Sequence, residues 1–476
     1  MHLPPQQGVR PCAPYRPQLH YTPARNWMND PNGLVWHDGE YHLFYQYNPY
    51  GNDWGNMSWG HAVSTDLVHW EELGVAIEAT DDEHVFSGSA VIDHDGTMVA
   101  VYTSYHPASG LQAQSLARST DRGRTWTRHP GNPVLDIGSK EFRDPKVFWY
   151  GQGGYWVMAV VLALEWKVSF YRSDDLLSWT WLSDFGPAGS VDGIWEVPDL
   201  FELDGRWVLV VSLNPGGPAG GSGVQYFVGR FDGVTFTSDW PAAWVDHGRD
   251  FYAALSWNNT PDGRRRWIGW MSNWADAATH PTDPWRGAQS LPRELLLEDI
   301  GGRPCLVQRP VAALQALRSP DSIHVAGLDI PPGVLFRSVP EGALEITAEF
   351  APGTAERFGL VIHEGVRIGY DIVRGEAFVE GTPSGRHAAP LSADGVRSST
   401  DGVRSSADGV RRSGDGLRLT VIVDASCVEV FSDRGQIVFT EQIFAEPGSA
   451  QVGLFADSGT ALLRSAAIHP LRPKRA

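Results

Sequence analysis

Cysteine and long apolar runs are scarce in this sequence of 476 residues. The three cysteines, Cys12, Cys305 and Cys427, lie far apart without metal-ligand spacing, so we predict free thiols and no metal site. No stretch approaches the roughly 20 apolar residues of a membrane span, and the N-terminus has no apolar signal-peptide core. As written, the sequence predicts a cytoplasmic protein without a membrane partner; a leader already removed would indicate secretion instead.

Positive charge is also in short supply. Lysine and arginine number 38 against 56 aspartates and glutamates, for a formal net charge of -18. This balance argues against nucleic acids and anionic membranes as partners and favours a soluble protein with a neutral ligand. We predict no cofactor.

Runs of helix-forming residues are few, whereas aromatic and turn-forming residues are abundant. The 20 tryptophans, 52 glycines and 33 prolines indicate many short strands and tight turns. A chain of this length is expected to form two or three domains, each with its own core. The composition therefore predicts an all-β protein.

Four hairpin signals share a common spacing. Each consists of a turn-like pair containing a glycine, followed by an apolar run. Nine residues before Gly39, Gly96, Gly153 and Gly205 stand, respectively, Asp30, Ser87, Asp144 and Glu196. If the hairpins are copies arranged around an axis, these four side chains occupy one position and converge. Gathered carboxylates repel one another, so we infer a functional reason for them.

A second repeat has a period close to 55 residues. The motif that ends in Trp70, Trp126 and Trp179 has its aspartates at Asp66, Asp121 and Asp175, and a degenerate copy has Asp232. We interpret these aspartates as turn residues and the tryptophans as packing residues. Four short strands per period indicate a β-propeller blade. Four units cover residues 26–240, and DFYAALSW with WIGWMSNW indicates a fifth. We predict a five-bladed β-propeller over residues 1–302.

The repeat stops after the fifth unit. Residues 303–322, which contain the partly helical stretch RPVAALQALRSP, are predicted to be a linker. Alternating strands over residues 323–476 predict a C-terminal β-sandwich. Within it, residues 392–418 carry a seven-residue SADGVRS-type repeat, for which we favour a loop expansion over a calcium-binding repeat.

The three carboxylates indicate a reaction class. The inner strand of a propeller blade lines the central channel, so Asp30, Asp144 and Glu196 would meet there. Two carboxylates about 5 to 5.5 Å apart are the equipment of a retaining glycosidase. Asn29 would keep Asp30 ionised, Arg143 would orient Asp144 or bind a sugar, and the apolar neighbour of Glu196 would favour its protonated form. Walls that stack on sugar rings could be formed by Trp27, Trp54, Trp59, Trp195 and Trp274. For each of these tryptophans, packing within a blade is the alternative interpretation.

Several motifs resemble those of glycoside hydrolase family 32, the fructan hydrolases and invertases. They are WMNDPNG at 27–33, YQYNP at 45–49, WGH at 59–61, FSGS at 86–89, FRDPK at 142–146, WEVPDLFEL at 195–203, RGAQSLPREL at 286–295 and VDASCVEVF at 423–431. The resemblance covers nearly the whole chain. It implies a five-bladed propeller followed by a β-sandwich.

The resemblance also implies roles for individual residues. Asp30 would be the nucleophile that forms a fructosyl-enzyme intermediate, Glu196 the acid/base, and Asp144 the ligand of the C3 and C4 hydroxyls. The fructose subsite would be shaped by Asn29, Gln46, Trp54, Phe86, Ser87 and Arg143. The residue after the acid/base is often cysteine in this family and is Val197 here, which puts the pH optimum in doubt.

These features predict a retaining β-fructosidase that releases terminal fructose from levan, inulin or sucrose, with fructans favoured. Fructosyl transfer and a levanbiose-type activity use the same intermediate and remain alternatives. Binding of fructan without catalysis is a more distant one, because both the nucleophile and the acid are present.

Overall fold

The computed structural model describes residues 15–363, 365–391, 416–432, 434–445 and 451–472, without the side chain of Arg337. Within these residues, helical structure is limited to three short 3-10 segments, Ala163–Glu165, Ala277–Thr279 and Ala312–Leu317. No helix in this part of the chain has the length and apolar character to cross a membrane. The all-β prediction is confirmed.

The N-terminal strands form five antiparallel sheets of four main strands, so the propeller prediction is confirmed. The first blade contains β1 (Asn26–His37), β2 (Glu40–Tyr47), β3 (Ser58–Ser64) and β4 (Glu71–Ile77). The second contains β5 (His84–Ile92), β6 (Met98–His106), β7 (Leu111–Ser119) and β8 (Thr127–Arg128). The third contains β9 (Phe142–Tyr150), β10 (Tyr155–Leu162), β11 (Lys167–Ser173) and β12 (Thr180–Phe185).

The remaining two blades carry short additional strands. The fourth blade contains β13 (Ile194–Leu203), β14 (Arg206–Asn214), β15 (Gly223–Phe231) and β16 (Phe236–Ser238), with β17 (Ala243–Trp244) on β15. The fifth contains β18 (Tyr252–Ser256), β19 (Arg266–Trp270), β21 (Arg293–Ile300) and β22 (Arg303–Pro310). Between β19 and β21, strand β20 (Trp285–Arg286) pairs with β1 of the first blade.

Backbone hydrogen bonds close the ring between the first and last blades. The amide of Asn258 donates to the carbonyl of Leu34 over 2.9 Å, and the amide of Trp36 donates to the carbonyl of Asn258 over 3.0 Å. The Asn258 side chain also donates to the carbonyls of Ala90 and Val147. One residue thus ties the inner strands of four blades together, which leaves no open edge at the junction.

The repeated aspartates cap the turns after the third strand of a blade, as predicted. Asp66 accepts hydrogen bonds from the amides of Val68 and His69. Asp175 and Asp232 make the same two bonds to the residues two and three positions further on. In the second blade, Asp121 binds Thr125 instead. These bonds satisfy turn amides that the sheet leaves unpaired.

The predicted linker is shorter than the sequence suggested. Residues 303–310 form β22, which pairs with β21 along its whole length from Arg303 to Pro310. The proline content of this stretch misled the prediction, because β22 is an outer edge strand where a missing amide costs little. The remaining connection contains the 3-10 segment Ala312–Leu317, in line with the predicted helical character.

The C-terminal region is a sandwich of two six-stranded sheets around a separate apolar core. Its strands are β23 (Ile323–Ile330), β24 (Gly333–Ser338), β25 (Leu344–Ala351), β26 (Arg357–Ile362), β27 (Val366–Asp371), β28 (Glu376–Thr382), β29 (Gly385–Pro390), β30 (Leu417–Asp424), β31 (Cys427–Ser432), β32 (Ile437–Gln442), β33 (Gln451–Asp457) and β34 (Ala461–Pro470). The strand order is β23-β34-β25-β30-β31-β32 in the first sheet and β24-β33-β26-β27-β28-β29 in the second. The low-complexity repeat lies outside the described residues, except for its last three residues, two of which begin β30.

A buried charged network joins the propeller to the sandwich. The fully buried guanidinium of Arg293, in the fifth blade, lies 2.8 Å from Glu429 of β31 and 3.1 Å from Asp246. His20, before the first blade, bonds Glu429 through one ring nitrogen and Asp424 through the other. Since each charge has an opposite partner, the network fixes how the two regions pack.

Candidate active site

All five inner strands carry a β-bulge near their N-terminal end. In each strand two residues stand opposite one residue of the partner strand, so the bulge adds one residue. The flanking residues are Met28 and Pro31 in β1, Val85 and Gly88 in β5, Arg143 and Lys146 in β9, Glu196 and Asp199 in β13, and Tyr252 and Leu255 in β18. In the last three strands the first bulged residue has a positive φ: 65° at Asp144, 47° at Val197 and 52° at Ala253. Such strained bulges are typical of sites where side chains must be re-aimed.

The bulges correct the predicted register. Asp30 and Ser87 share one position, the second residue of the bulge, but Asp144 is the first residue and Glu196 precedes the bulge. The count of nine failed for two reasons. The turn between Tyr150 and Tyr155 is longer than the two-residue turns of the first and fourth blades. In addition, β1 has a second register shift between Asn32 and Val35 that β13 does not have. The carboxylates nevertheless lie near the starts of the inner strands of the first, third and fourth blades, as expected.

Asp30 is buried and held by two donors. Its Oδ2 accepts a hydrogen bond of 2.7 Å from the Ser87 hydroxyl, and its Oδ1 accepts one of 3.0 Å from the amide of Asn29. Burial, followed by the negative charge of Glu196, raises the pKa of Asp30 to about 6, and the two donors act in the opposite direction.

Asp144 is held by hydrogen bonds to the second and fourth blades. Its amide donates to the Thr103 hydroxyl over 2.8 Å, and its Oδ2 accepts the amide of Val197 over 2.9 Å. The Arg143 guanidinium lies 4.0 Å from Oδ2. Burial raises the pKa of Asp144, against the opposing effect of Arg143. The bond from Val197 also explains how a β-branched residue is kept at positive φ.

Glu196 contacts the residues that stand at its own position in the adjacent blades. The Tyr252 hydroxyl donates to Oε2 over 2.5 Å, and the Arg143 guanidinium lies 3.2 Å from Oε1. Burial raises the pKa of Tyr252 well above its usual value, so the phenol stays protonated and can donate. Arg143 also donates to Glu141 and Gln112, and these bonds restrict the orientation of its guanidinium group.

Tyr252 is the site residue that the sequence reasoning missed. The fifth unit was recognised from DFYAALSW. However, the residue nine positions after Tyr252 is not a glycine, and the position of Tyr252 carries no carboxylate, so the spacing rule did not select it. Its equivalence to Glu196 and Arg143 becomes visible only when the bulges are aligned.

Trp195 does not provide the apolar wall that we expected beside Glu196. Its side chain is fully buried between the third and fourth blades, 6.3 Å from the Phe227 ring, and its indole nitrogen donates to Ser190. Neighbouring residues on a strand point to opposite faces, so Trp195 turns into the core while Glu196 turns into the channel. Trp59 is likewise a fully buried packing residue.

The other predicted aromatic residues form two groups near the carboxylates. Trp54 is 49% exposed and lies 6.0 Å from Phe86, which stacks on Tyr105 at 4.7 Å. Trp27 is only 2% exposed and lies 6.0 Å from Trp274. Its indole nitrogen donates to the side-chain oxygen of Asn29, so it orients the asparagine that holds Asp30. This differs from the stacking role that we predicted for Trp27.

Gln46 is also buried beneath the site. Its side-chain amide donates to the carbonyl of Val85, the residue that begins the bulge of the second blade. The side chain of Gln289, within the RGAQSLPREL motif, donates similarly to the carbonyl of Asn29. Both amides therefore support the backbone that carries the candidate subsite.

Two groups in the described part of the chain have metal-ligand geometry, namely His20 with Asp424 and Cys427, and Asp250 with Asp276 and His280. Neither includes one of the three candidate catalytic carboxylates. In the first group, His20 is already bonded to Asp424 and Glu429. Cys305 and Cys427 are free thiols, and Cys12 lies outside the described residues.

Comparison with protein families covers both regions. Residues 20–310 match the glycosyl hydrolases family 32 N-terminal domain, and residues 314–470 match the glycosyl hydrolases family 32 C terminal domain. A levanase of Bacillus subtilis is 44% identical over 96% of this chain and 70% of its own length. An extracellular exo-inulinase of Aspergillus awamori is 38% identical over 94% of this chain and 93% of its own.

Solved structures agree with the sequence relatives. The crystal structure of the Aspergillus awamori exo-inulinase matches with a TM-score of 0.88 and 35% identity, over 97% of this chain and 99% of that one. A β-fructofuranosidase of Schwanniomyces occidentalis, complexed with fructosyl-erythritol, matches with a TM-score of 0.87 and 30% identity, over 96% and 98%. The chain therefore belongs to glycosyl hydrolase family 32 and is a glycosidase.

Proposed function

We propose that this enzyme hydrolyses terminal β-D-fructofuranosyl residues of levan- or inulin-type fructans, and of sucrose, with retention of configuration. The observation that carries the proposal is the set of carboxylates held at the bulges of the inner strands. Asp30 is fixed by Ser87 and Asn29, and Arg143 lies 3.2 Å from Glu196 and 4.0 Å from Asp144. A nucleophilic carboxylate and a second carboxyl group that acts as acid and base are what a double-displacement glycosidase requires.

In the first step, Asp30 attacks the anomeric carbon of the fructosyl unit. The carboxylate oxygen forms an ester bond while the glycosidic bond breaks, and Glu196 gives its proton to the leaving oxygen. Ser87 and Asn29 hold the attacking carboxylate in place with bonds of 2.7 and 3.0 Å. Because these donors stabilise the ionised form, they keep a buried nucleophile reactive.

In the second step, water replaces the leaving group. Glu196, now ionised, takes a proton from the water as the water attacks the same carbon, and the ester to Asp30 breaks. Tyr252 and Arg143 stabilise the carboxylate of Glu196 while it waits for this proton. The proton balance closes, since Glu196 ends the cycle protonated.

Asp144 and the aromatic groups account for sugar binding. Asp144 is a buried acceptor next to the nucleophile, and a pair of ring hydroxyls could donate to its two oxygens, as proposed for the C3 and C4 hydroxyls. Trp54 and Phe86 offer apolar faces at the rim. The fructan preference follows the names of the relatives, a levanase and exo-inulinases.

Product analysis on sucrose, inulin and levan tests the proposal. We expect fructose as the sole early product from the fructans, and fructose with glucose from sucrose. No fructose from any of the three would contradict the function, and products longer than the substrate would instead indicate fructosyl transfer. A difructose product would indicate a levanbiose-type activity. The Asp30→Ala variant is the matched control for contaminating activity.

A further inference from the structure

A second cavity opens at the end of the propeller opposite the carboxylates. Its volume is about 530 Å³, and it is lined by the C-terminal ends of the inner strands β5, β9 and β13. Glu202, which lines this cavity, lies six positions further along β13 than Glu196, at the catalytic end. At roughly 3.3 Å per residue, the two ends lie about 20 Å apart.

Buried polar groups close the channel between the two ends. Lys146 Nζ lies 3.2 Å from Asp199 Oδ1 and donates to the Ser256 carbonyl over 2.6 Å. The other oxygen of Asp199 accepts the Ser256 amide over 2.6 Å. The side chains of Lys146 and Asp199 are 2% and 0% exposed. A ligand in the catalytic pocket therefore cannot extend into the second cavity.

An exposed tryptophan forms one wall of this cavity. The indole of Trp149 is 40% exposed. It packs edge-on against Trp156 at 5.1 Å and against His94 at 4.5 Å, so its orientation is held. Trp207, which contacts Phe148 at 5.7 Å, adds a second ring to the lining.

Polar groups with unused bonding capacity lie beside these rings. Glu202 accepts no hydrogen bond from any described residue. Arg265 donates to Trp257 and Ser256 through one nitrogen, Nη1, and its remaining nitrogens make no hydrogen bond to the described part of the chain. The opposite charges of Glu202 and Arg265 offset each other, which makes the cavity suitable for a neutral ligand rather than an anion.

We propose that this cavity is a second, non-catalytic saccharide-binding site for a segment of neutral oligosaccharide. The apolar face of a sugar ring packs on Trp149, while ring hydroxyls bond to the carboxylate of Glu202 and the guanidinium of Arg265. A cavity of this size holds a few sugar units. That the sugar is a fructan segment rests on the proposed function; the site itself rests on the lining residues.

Calorimetric titration of the full-length Asp30→Ala protein with fructan tetrasaccharides tests the inference. We expect two binding events per chain, one at each end of the propeller. In the Asp30→Ala, Trp149→Ala double variant, the event at the cavity should weaken by at least about tenfold, as at other aromatic contact points. The matched control adds Trp181→Ala instead, because Trp181 is 57% exposed on the outer strand of the same blade.

The possible results separate this inference from the proposed function. The second site is overturned if the titration shows a single binding event that Trp149→Ala leaves unchanged. It is also overturned if Trp181→Ala weakens binding at the cavity as much as Trp149→Ala does. Binding of maltotetraose, but not of fructan, that is lost in the Trp149→Ala variant supports a saccharide site and overturns fructan as its ligand. The thermal midpoint of the Trp149→Ala protein should match that of the control, which excludes misfolding as the cause.

Discussion

The hydroxyl of Tyr252 donates a 2.5 Å hydrogen bond to Oε2 of Glu196, from the equivalent position of the next blade. Because the phenol donates, it stabilises a carboxylate anion more strongly than a neutral carboxylic acid. Glu196 must be protonated in one step of the proposed cycle and ionised in the next. Tyr252 therefore favours the second step at some cost to the first.

Replacing Tyr252 by phenylalanine should slow the second step of the cycle more than the first. We expect kcat to fall by about tenfold, the equivalent of roughly 1.4 kcal/mol for a hydrogen bond to a charged group, while kcat/KM, which reports the first step, changes less.

Tyr102→Phe is the matched control. Its buried hydroxyl donates to Glu83 over 3.0 Å, in the second blade. We expect little change in its kcat on sucrose. An unchanged kcat in Tyr252→Phe, or a loss confined to kcat/KM, would contradict the assigned role.

Removal of the Ser87 hydroxyl should move the acidic limb. Ser87 lowers the pKa of Asp30, which burial and Glu196 raise to about 6. In Ser87→Ala this lowering is lost, so the pKa of Asp30 rises further. Because the nucleophile must be ionised, activity is lost as pH falls through that pKa, and the acidic limb of kcat/KM should shift upward. Ser183→Ala, on an outer strand, should leave the limb in place; a downward shift in Ser87→Ala would refute the argument.

Glu196→Ala should separate protonation of the leaving group from nucleophilic attack. We expect turnover of sucrose to fall by roughly a thousandfold or more, as is usual when a general acid is removed. A fructoside with an activated phenolate leaving group should recover the rate of the first step, which appears as a burst of released phenolate. Asp30→Ala should show no such burst. Recovery in Asp30→Ala would mean that another group attacks the sugar.

Arg293→Ala should destabilise the chain more than any surface arginine. Its removal leaves Glu429 and Asp246 buried without their cation, which typically costs about 3–5 kcal/mol of unfolding free energy. Urea denaturation followed by tryptophan fluorescence measures this loss. Arg264→Ala is the matched control, because Arg264 is 59% exposed in its pair with Glu294 and such pairs contribute about 1 kcal/mol or less. Equal effects of the two variants would rule out a structural role for the network.

The blade architecture was readable because it repeats. Asp66, Asp121 and Asp175 recur at a period of about 55 residues since each caps the same turn, and local hydrogen bonds depend only on neighbouring residues. The same locality explains the error at 303–310, where proline suggested a linker although the strand pairs with β21. Pairing depends on a partner strand that the local sequence does not describe.

The sequence predicted the acidic residues of the site but not how the five inner strands align with one another. The sequence by itself determined a five-bladed, all-β protein with Asp30, Asp144 and Glu196 on inner strands, because strand patterns, turn residues and spacing are properties of the chain. Only the tertiary structure decided which residues face one another. Bulges shift register by one residue, and a shift of one turns a side chain from the core to the channel. That shift buries Trp195 behind Glu196 and brings Tyr252, from a different blade, into contact with it.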